Sequence, residues 1–111
     1  MCGIGGYYGE EIISKPLIKK TLNLMKNRGP DNQNFKFLKH NSKKIFLLSS
    51  RLKIVDRLDR SNQPMEIDDC IISFNGEIYN IDEIRKKVFE NGLKLKTKSD
   101  TELILKMYKI F

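Results

Sequence analysis

Apolar residues recur at helical spacing near the start of the chain. Ile18, Leu22 and Met25 would share one face of a helix, because they follow one another at intervals of four and three. Ser14 precedes them as a preferred N-cap residue, and Pro16 suits a first helical turn. The pattern predicts a helix that begins after Ser14 and ends before an Arg-Gly-Pro-Asp turn signal.

Two more helical patterns lie in the last third of the chain. Ile81, Ile84 and Val88 share one helix face together with Phe89, and Gly92 is a natural helix stop. A Ser-x-x-Glu capping box at 99–102 would start a last helix. Its predicted apolar face comprises Leu103, Ile104, Met107 and Tyr108.

Shorter apolar runs predict three strands in the first half of the chain. A glycine-rich strand covers residues 4–8, and two more cover residues 35–38 and 45–49 around a polar turn. Residues 51–55 could continue the third strand. The short turn predicts that the second and third strands are antiparallel neighbours.

A fourth apolar run follows a polar segment at 56–64, which we interpret as a loop. Residues 70–74 are apolar and bounded by turn-forming residues, which is typical of a buried strand. The Asn-Gly pair at 75–76 is favoured in two-residue hairpins, so residues 78–79 would begin a return strand. The predicted fold class is α+β, with an antiparallel sheet that bears helices.

Composition limits the chain to one small domain. It has 111 residues, of which 40% are apolar and 32% charged. No run approaches the ~20 apolar residues of a membrane span, and no signal peptide is visible, so we expect a cytoplasmic protein without membrane attachment. The net charge of +7 would suit a nucleic-acid surface, but the lysines are scattered, which leaves nucleic-acid binding as the weakest hypothesis.

Cys2 is the candidate nucleophile because it directly follows the initiator methionine. Removal of Met1 would leave a thiol and an α-amine on one residue, and an amine with a pKa near ~8 can act as a general base. Taken alone, this position is more simply interpreted as an accident of sequence. Cys70 begins an apolar run and is expected to be a core thiol. The only histidine, His40, has no clustered partner, so no metal site is predicted.

Six short motifs follow one another over nearly the whole chain. They are Cys-Gly-Ile at 2–4, Asn-Arg-Gly-Pro-Asp at 27–31, Arg-Leu-Lys-Ile-Val-Asp at 51–56, Gln-Pro-Met at 63–65, Phe-Asn-Gly-Glu-Ile-Tyr-Asn at 74–80 and Ser-Asp-Thr-Glu at 99–102. With these motifs the chain resembles the N-terminal glutaminase domain of the class II glutamine amidotransferases, and within that class the glutamine-hydrolysing asparagine synthetases. The resemblance implies an N-terminal-nucleophile hydrolase fold, in which antiparallel sheets lie between helical layers.

The resemblance implies catalytic roles for three residues. The thiolate of Cys2 would attack the side-chain carbonyl carbon of glutamine, and the α-amine would return a proton to the departing ammonia. The side-chain amide of Asn75 and the backbone N–H of Gly76 would form the oxyanion hole. A plain hairpin turn is the structural alternative for this Asn-Gly pair, and a tight turn could also aim the two donors.

The resemblance also assigns residues that bind the glutamine backbone. Arg51 would bind the α-carboxylate with its guanidinium, and the backbone of Arg51, Leu52, Lys53, Ile54 and Val55 would line the pocket. We expect Arg51 to be buried because Leu52, Ile54 and Val55 around it look buried. Asp100, assisted by Glu77, would bind the α-ammonium. An aspartate beside a helix N-cap and an exposed strand glutamate are the structural alternatives.

The chain departs from the family pattern in two residues and in length. Asn27 and Ser49 stand where the family usually has histidines. The family's glutaminase domain continues beyond the position of Phe111, and an ATP-using synthetase domain follows it. We therefore expect residues 1–111 to hold only the N-terminal portion of the glutaminase domain, without the synthetase domain.

The predicted partners follow from this division. L-glutamine is the expected substrate, a synthetase domain in cis or in trans would use the ammonia, and a homodimer is a further expectation. No cofactor is predicted for this chain, because ATP and Mg²⁺ would serve only the synthetase domain. A catalytically inactive remnant or a glutamine-binding module is the alternative to an active glutaminase.

Overall fold

The computed structural model describes residues 2–111, so the predicted removal of Met1 lies outside the described residues. In chain order the elements are β1 (Gly3–Gly9), α1 (Lys15–Met25), β2 (Asn32–His40), β3 (Lys43–Arg51), β4 (Met65–Ile67), β5 (Cys70–Ile72), α2 (Ile81–Glu90) and α3 (Asp100–Ile110). A single 3-10 turn, Asp59–Ser61, interrupts the predicted loop before β4. The fold is α+β with antiparallel sheets, as predicted.

The main sheet is three-stranded, with β3 between β1 and β2, and both pairings are antiparallel. Alternate residues of a strand face opposite sides of the sheet, which places Phe46 and Leu48 of β3 on the same face. These two side chains form a buried cluster with Ile18 and Leu22 of α1. The predicted strands and the predicted first helix are confirmed, and this cluster is the core that supports them.

The turn after α1 is fixed to the end of β3. A Cβ at Gly29 would collide with the carbonyl of Ser50, so only glycine fits this close approach. The Ser50 hydroxyl donates to the carbonyls of Met25 at 3.0 Å and Gly29 at 2.8 Å. This contact holds the Arg-Gly-Pro-Asp segment beside the first residues of β1.

The predicted continuation of β3 through residues 51–55 is wrong. β3 ends at Arg51, and residues 52–62 form a loop, which we call the cavity loop. A hydrogen bond of 3.1 Å from Ile54 N to Leu52 O turns the backbone. Asp56 has a φ of +46°, which is a left-handed conformation that no strand contains.

The predicted hairpin at Asn75 and Gly76 is also wrong. The hairpin is formed by β4 and β5, and Asp68 turns the chain between them with a φ of +54°. Neither Asn75 nor Gly76 has a positive φ, whereas the favoured Asn-Gly turn needs one at both positions. Residues 73–78 are irregular, so the predicted return strand at 78–79 does not form.

The short second sheet also corrects the interpretation of Cys70. The strand predicted at 70–74 spans only Cys70–Ile72, and its residues are half-buried. Cys70 is therefore not a core thiol, and its Sγ lies 3.7 Å from the carboxylate of Asp69. Desolvation and this neighbouring charge raise the pKa of the Cys70 thiol.

The last two helices contact each other, and α3 also contacts the β4–β5 hairpin. Gly92 ends α2 with a φ of +74°, as predicted. Only half of the predicted capping box forms, because Ser99 Oγ accepts from Thr101 N at 3.1 Å while Glu102 instead accepts backbone N–H groups of residues 96–97.

The predicted apolar face of α3 needs one correction. Leu103 is fully buried, whereas Tyr108 is exposed. Leu105, which the helical pattern did not include, is buried instead. The buried residues of α3 therefore lie in its N-terminal half.

Candidate functional site

A cavity of about 360 Å³ opens where β1 begins and β3 ends. Its walls come from the N-terminus, the cavity loop, the irregular segment after β5 and the first turn of α3. The lining includes every predicted site residue except Lys53: Cys2, Arg51, Leu52, Ile54, Val55, Asn75, Gly76, Glu77 and Asp100. Four distant segments of the chain therefore meet at one place.

Cys2 lies at the cavity wall because β1 pairs with β3. The pairing of Gly3 with Ser50 brings the residue before Gly3 to the end of β3. The backbone N–H of Leu52 donates to Cys2 Sγ at 3.4 Å, and Arg28 Nε donates to the Cys2 carbonyl at 3.4 Å. The thiol of this half-buried residue thus has a fixed donor, and its backbone is tied to the 27–31 turn.

Arg51 is buried, but the expected reason was wrong. It is 4% exposed, whereas Ile54 and Val55 are 68% and 53% exposed. The cavity loop therefore presents apolar side chains to the outside and surrounds a guanidinium on the inside. Burial lowers the pKa of Arg51, although an arginine remains charged in proteins.

The guanidinium of Arg51 is held by oxygen atoms of the cavity loop. Nη1 donates to Leu58 O at 3.1 Å and to Asn62 Oδ1 at 2.9 Å. Nη2 donates to Val55 O at 3.1 Å and to Asp56 O. All four N–H groups of the two terminal nitrogens are therefore engaged, and the Nε–H is left for another partner.

Lys53 is the predicted site residue that the structure places outside the cavity lining. Its backbone N–H donates to Asp31 Oδ2 at 2.7 Å, and its ammonium pairs with Asp59 at 2.6 Å. The hydrogen bond and charge of Lys53 lower the pKa of Asp59. Lys53 thus connects the cavity loop to the 27–31 turn, whose aspartate had no predicted role.

Asn75, Gly76 and Glu77 lie at the exposed rim of the cavity. A Cβ at Gly76 would come within 2.8 Å of the Phe74 ring, so glycine allows the close fold of this segment. Asp100 is the half-buried first residue of α3, where the helix dipole favours a carboxylate. That position is compatible with both its predicted ligand role and its structural alternative.

Gln63 is a site residue to which sequence reasoning assigned no role. It is buried, its Nε2 donates to Thr101 Oγ1 at 3.0 Å, and its Oε1 accepts from Phe74 N at 2.6 Å. One side chain therefore fixes both the segment that carries Asn75 and the start of α3. The Gln-Pro-Met motif was the available signal, because a polar residue inside an otherwise buried motif needs partners.

The two family departures lie in different environments. Asn27 is exposed in the turn after α1. Ser49 is fully buried on β3 opposite Ile4, and among residues 2–111 its hydroxyl has no hydrogen-bond partner.

Residues 2–111 contain neither a cluster of metal ligands nor a helix fit to span a membrane. No three His, Cys, Asp or Glu side chains in this part of the chain come close enough to hold a metal ion. None of the described helices combines the length and apolar character that a bilayer span requires. His40 lies exposed at the end of β2.

Comparison with known proteins identifies the family. A family model described as a glutamine amidotransferase domain matches residues 1–111. A provisionally named glutamine-hydrolysing asparagine synthetase 2 of Methanocaldococcus jannaschii is 37% identical, and the match covers 97% of this chain and 24% of the relative. No solved structure matches the chain.

Two further relatives are glutamine-hydrolysing asparagine synthetases. Asparagine synthetase 1 of Bacillus subtilis is 32% identical over 98% of this chain and 18% of the relative. The enzyme of Sandersonia aurantiaca is 35% identical over 97% of this chain and 20% of the relative. The chain thus spans about a quarter or less of the length of these relatives. By the match over its whole length, the chain belongs to the glutamine amidotransferase family.

Proposed function

We propose that this chain hydrolyses the side-chain amide of L-glutamine and supplies the ammonia to an asparagine synthetase domain, in cis or in trans. The observation that carries the proposal is the cavity in which Cys2 meets Asn75, Gly76 and Asp100. The relatives named as glutamine-hydrolysing asparagine synthetases support the ammonia acceptor. ATP and Mg²⁺ would act only at the synthetase domain.

The proposed reaction uses Cys2 as nucleophile and base. Once Met1 is removed, the α-amine accepts the thiol proton, and the thiolate attacks the carboxamide carbon of glutamine. Asn75 Nδ2 and the backbone N–H of Gly76 stabilise the oxyanion. The α-ammonium returns the proton to the leaving nitrogen, ammonia departs, and water hydrolyses the thioester to glutamate and the free thiol.

The α-groups of glutamine would bind at the other walls of the cavity. The α-ammonium lies between the carboxylates of Asp100 and Glu77 in this proposal. The α-carboxylate lies against Arg51 and the backbone of residues 52–55, and Arg51 Nε is the guanidinium donor that the loop leaves unused. This arrangement agrees with the positions of the Arg51 guanidinium and of the Glu77 and Asp100 carboxylates on different walls of the cavity.

The N-terminal-nucleophile hydrolase type is part of the same proposal. A glycine-rich strand that begins at the nucleophile and pairs with a neighbouring strand supports it. The sheet carries α1 on one face, and Ile4 and Tyr8 are exposed on the other, where a second antiparallel sheet would pack. A cytoplasmic location agrees with two free cysteines, and the homodimer stays a prediction.

The test measures glutamate and ammonia released by the purified chain, after mass spectrometry has verified the loss of Met1. Cys2→Ala should abolish turnover, because it removes the nucleophile. Cys70→Ala is the matched control and should retain turnover, because Cys70 lies outside the cavity lining. Turnover that survives Cys2→Ala would contradict the mechanism, and glutamine binding without turnover in the unmodified chain would favour a glutamine-binding module.

A further inference from the structure

We infer that Asp56 is a positioning residue for glutamine. Its carboxylate fastens the cavity loop to the segment before α3, and so fixes the distance between two walls of the cavity. The inference rests on the proposed function of that cavity. It assigns a role to a residue that does not itself line the cavity.

The carboxylate of Asp56 is almost fully enclosed by hydrogen-bond donors. The side chain is 2% exposed, and Oδ2 accepts from Lys98 N at 2.8 Å. Oδ1 accepts from Leu58 N at 3.3 Å, and Arg60 Nε donates to Oδ2 at 3.2 Å. The bond from Lys98 is the largest of the causes that lower the pKa of Asp56, so the group is charged near neutral pH.

The bond between Asp56 and Lys98 joins positions 42 residues apart. Within the part of the chain that the structure describes, it is the one hydrogen bond between residues 52–62 and residues 96–100. Lys98 is followed directly by Ser99, the N-cap of α3, and then by Asp100. This bond between Asp56 and Lys98, which we call the clasp, therefore acts on the start of α3, where the proposed ligand of the α-ammonium lies.

The backbone of Asp56 acts on the opposite wall. Its carbonyl accepts a hydrogen bond from Arg51 Nη2, while its carboxylate points to Lys98. Asp56 makes both contacts from a left-handed conformation, with a φ of +46°. A positive φ is uncommon for residues other than glycine, and aspartate is among the residues that adopt it most readily.

The clasp should influence glutamine affinity more than the chemical step. Val55 and Asp100 line the cavity on either side of the Asp56–Lys98 bond. Cys2 is instead held by Leu52 and Arg28, and Phe74 is held by Gln63. Gln63 would still join the end of the cavity loop to Thr101 of α3, so loss of the clasp would loosen the walls that bind the α-groups and leave the nucleophile in place.

Asp56→Asn tests this role with a minimal change. Asparagine keeps the size and tolerates the left-handed conformation, but it removes the charge and one acceptor. Asp68→Asn is the matched control, because Asp68 also has a left-handed φ, of +54°, but lies in the β4–β5 turn away from the cavity lining. The measurements are kcat and KM for glutamine in the full chain, glutamine Kd in the Cys2→Ala background, and the Lys98 amide proton shift.

With Asp56→Asn we expect KM and Kd to rise about tenfold, the loss typical of one charge-assisted hydrogen bond, with kcat within about twofold. The Lys98 amide proton should move upfield as its acceptor weakens. Asp68→Asn should change none of these values. An unchanged affinity in the presence of a shifted Lys98 resonance would overturn the inference, and so would a fall in kcat at constant KM.

The outcomes separate this inference from the proposed function. A folded Cys2→Ala chain that binds no glutamine would overturn both. Glutamine binding of equal strength with and without Asp56→Asn would overturn the clasp alone. If Asp56→Asn does not fold, an ester in place of the Thr97–Lys98 amide removes only the donor; a tenfold weaker affinity supports the clasp, and an unchanged affinity contradicts it.

Discussion

The sheet region and the cavity loop are held together by different forces. Residues 3–51 form β1, α1, β2 and β3 around a buried apolar cluster. Residues 52–62 expose Ile54, Val55 and Leu58 and are organised by the guanidinium of Arg51. The proposed nucleophile, Cys2, therefore lies on a packed scaffold, while much of the proposed substrate recognition depends on a few polar contacts. Substitutions in the two regions should separate stability from affinity.

Phe46→Ala should have the largest effect on stability. Phe46 is buried on β3 and its ring lies 4.8 Å from that of Phe37 and 6.3 Å from that of Tyr7. Loss of a buried aromatic ring leaves a cavity and typically costs about 3–5 kcal/mol. Urea unfolding measures the loss, and the glutamine KM of the remaining folded fraction should be unchanged. A raised KM would show that the two regions are coupled.

Arg51→Met should have the next largest effect, now on affinity as well as stability. The substitution leaves Leu58 O, Asn62 Oδ1, Val55 O and Asp56 O without their shared donor. We expect a loss of about 2–4 kcal/mol in the free energy of unfolding and about a hundredfold in kcat/KM. Arg57→Met is the matched control, because Arg57 is exposed in the same loop.

A shortened substrate tells whether Arg51 acts directly or through the loop. If Arg51 binds the α-carboxylate directly, Arg51→Met should cause no loss of kcat/KM for a glutamine analogue that lacks this carboxylate. If the bracing of the cavity loop dominates, Arg51→Met should weaken the use of glutamine and of the analogue by similar factors. A loss confined to glutamine would mean that the guanidinium binds the α-carboxylate itself.

Gln63→Leu should have a smaller effect, mainly on the chemical step. It leaves Phe74 N and Thr101 Oγ1 without partners, which costs about 1–3 kcal/mol for a buried group. Because Phe74 precedes the proposed oxyanion-hole residues, kcat should fall about tenfold with little change in KM. Gln33→Leu in β2 is the control, because it also removes a part-buried hydrogen bond, to Gly29 O, but Gln33 lies outside the cavity lining, so kcat should be unchanged. Equal effects of the two substitutions would contradict the positioning role of Gln63.

The acid dependence of stability should show the smallest effect. The folded-state pKa of Asp56 lies below its ordinary value of 3.8, so the folded chain binds fewer protons than the unfolded chain in that range. The charged carboxylate of Asp56 therefore stabilises the fold fully above its ordinary pKa of 3.8. This stabilisation is lost as the pH falls through the lower folded-state pKa. Urea unfolding down to about pH 3 should show a shallower decline for Asp56→Asn than for the unmodified chain. Identical slopes would contradict this.

The local pattern of the sequence was sufficient for most of the regular elements. Ile18 and Leu22 have helical spacing and lie buried in α1, and Gly92 ends α2 as its position predicts. Cys2 and Asp100 reach one cavity, as the motif order implied. These predictions rest on short-range periodicity or on motifs, and both are visible in a single chain.

Side-chain-to-backbone contacts and a short hairpin explain what the sequence did not predict. Leu52, Ile54 and Val55 have the pattern of a continuing strand. The backbone turns instead, and the buried guanidinium of Arg51 donates to the carbonyls of Val55 and Asp56. The hairpin expected at Asn75 and Gly76 does not form. The hairpin in the structure pairs β4 with β5, two strands of three residues each. The pattern of apolar residues did not reveal these contacts, because three of the four groups that accept from Arg51 are backbone carbonyls, which every residue carries.

The pairing of β1 with β3 determines whether Met1 is removed before or after the chain folds. Gly3 is buried against Ser50, and Arg28 holds the Cys2 carbonyl, so Cys2 and Gly3 are secured as soon as the sheet forms. An aminopeptidase needs this segment extended and unpaired, and we therefore expect Met1 to be removed before folding is complete. Fast overproduction would then trap folded chains that keep their methionine, and these chains could be processed only after unfolding.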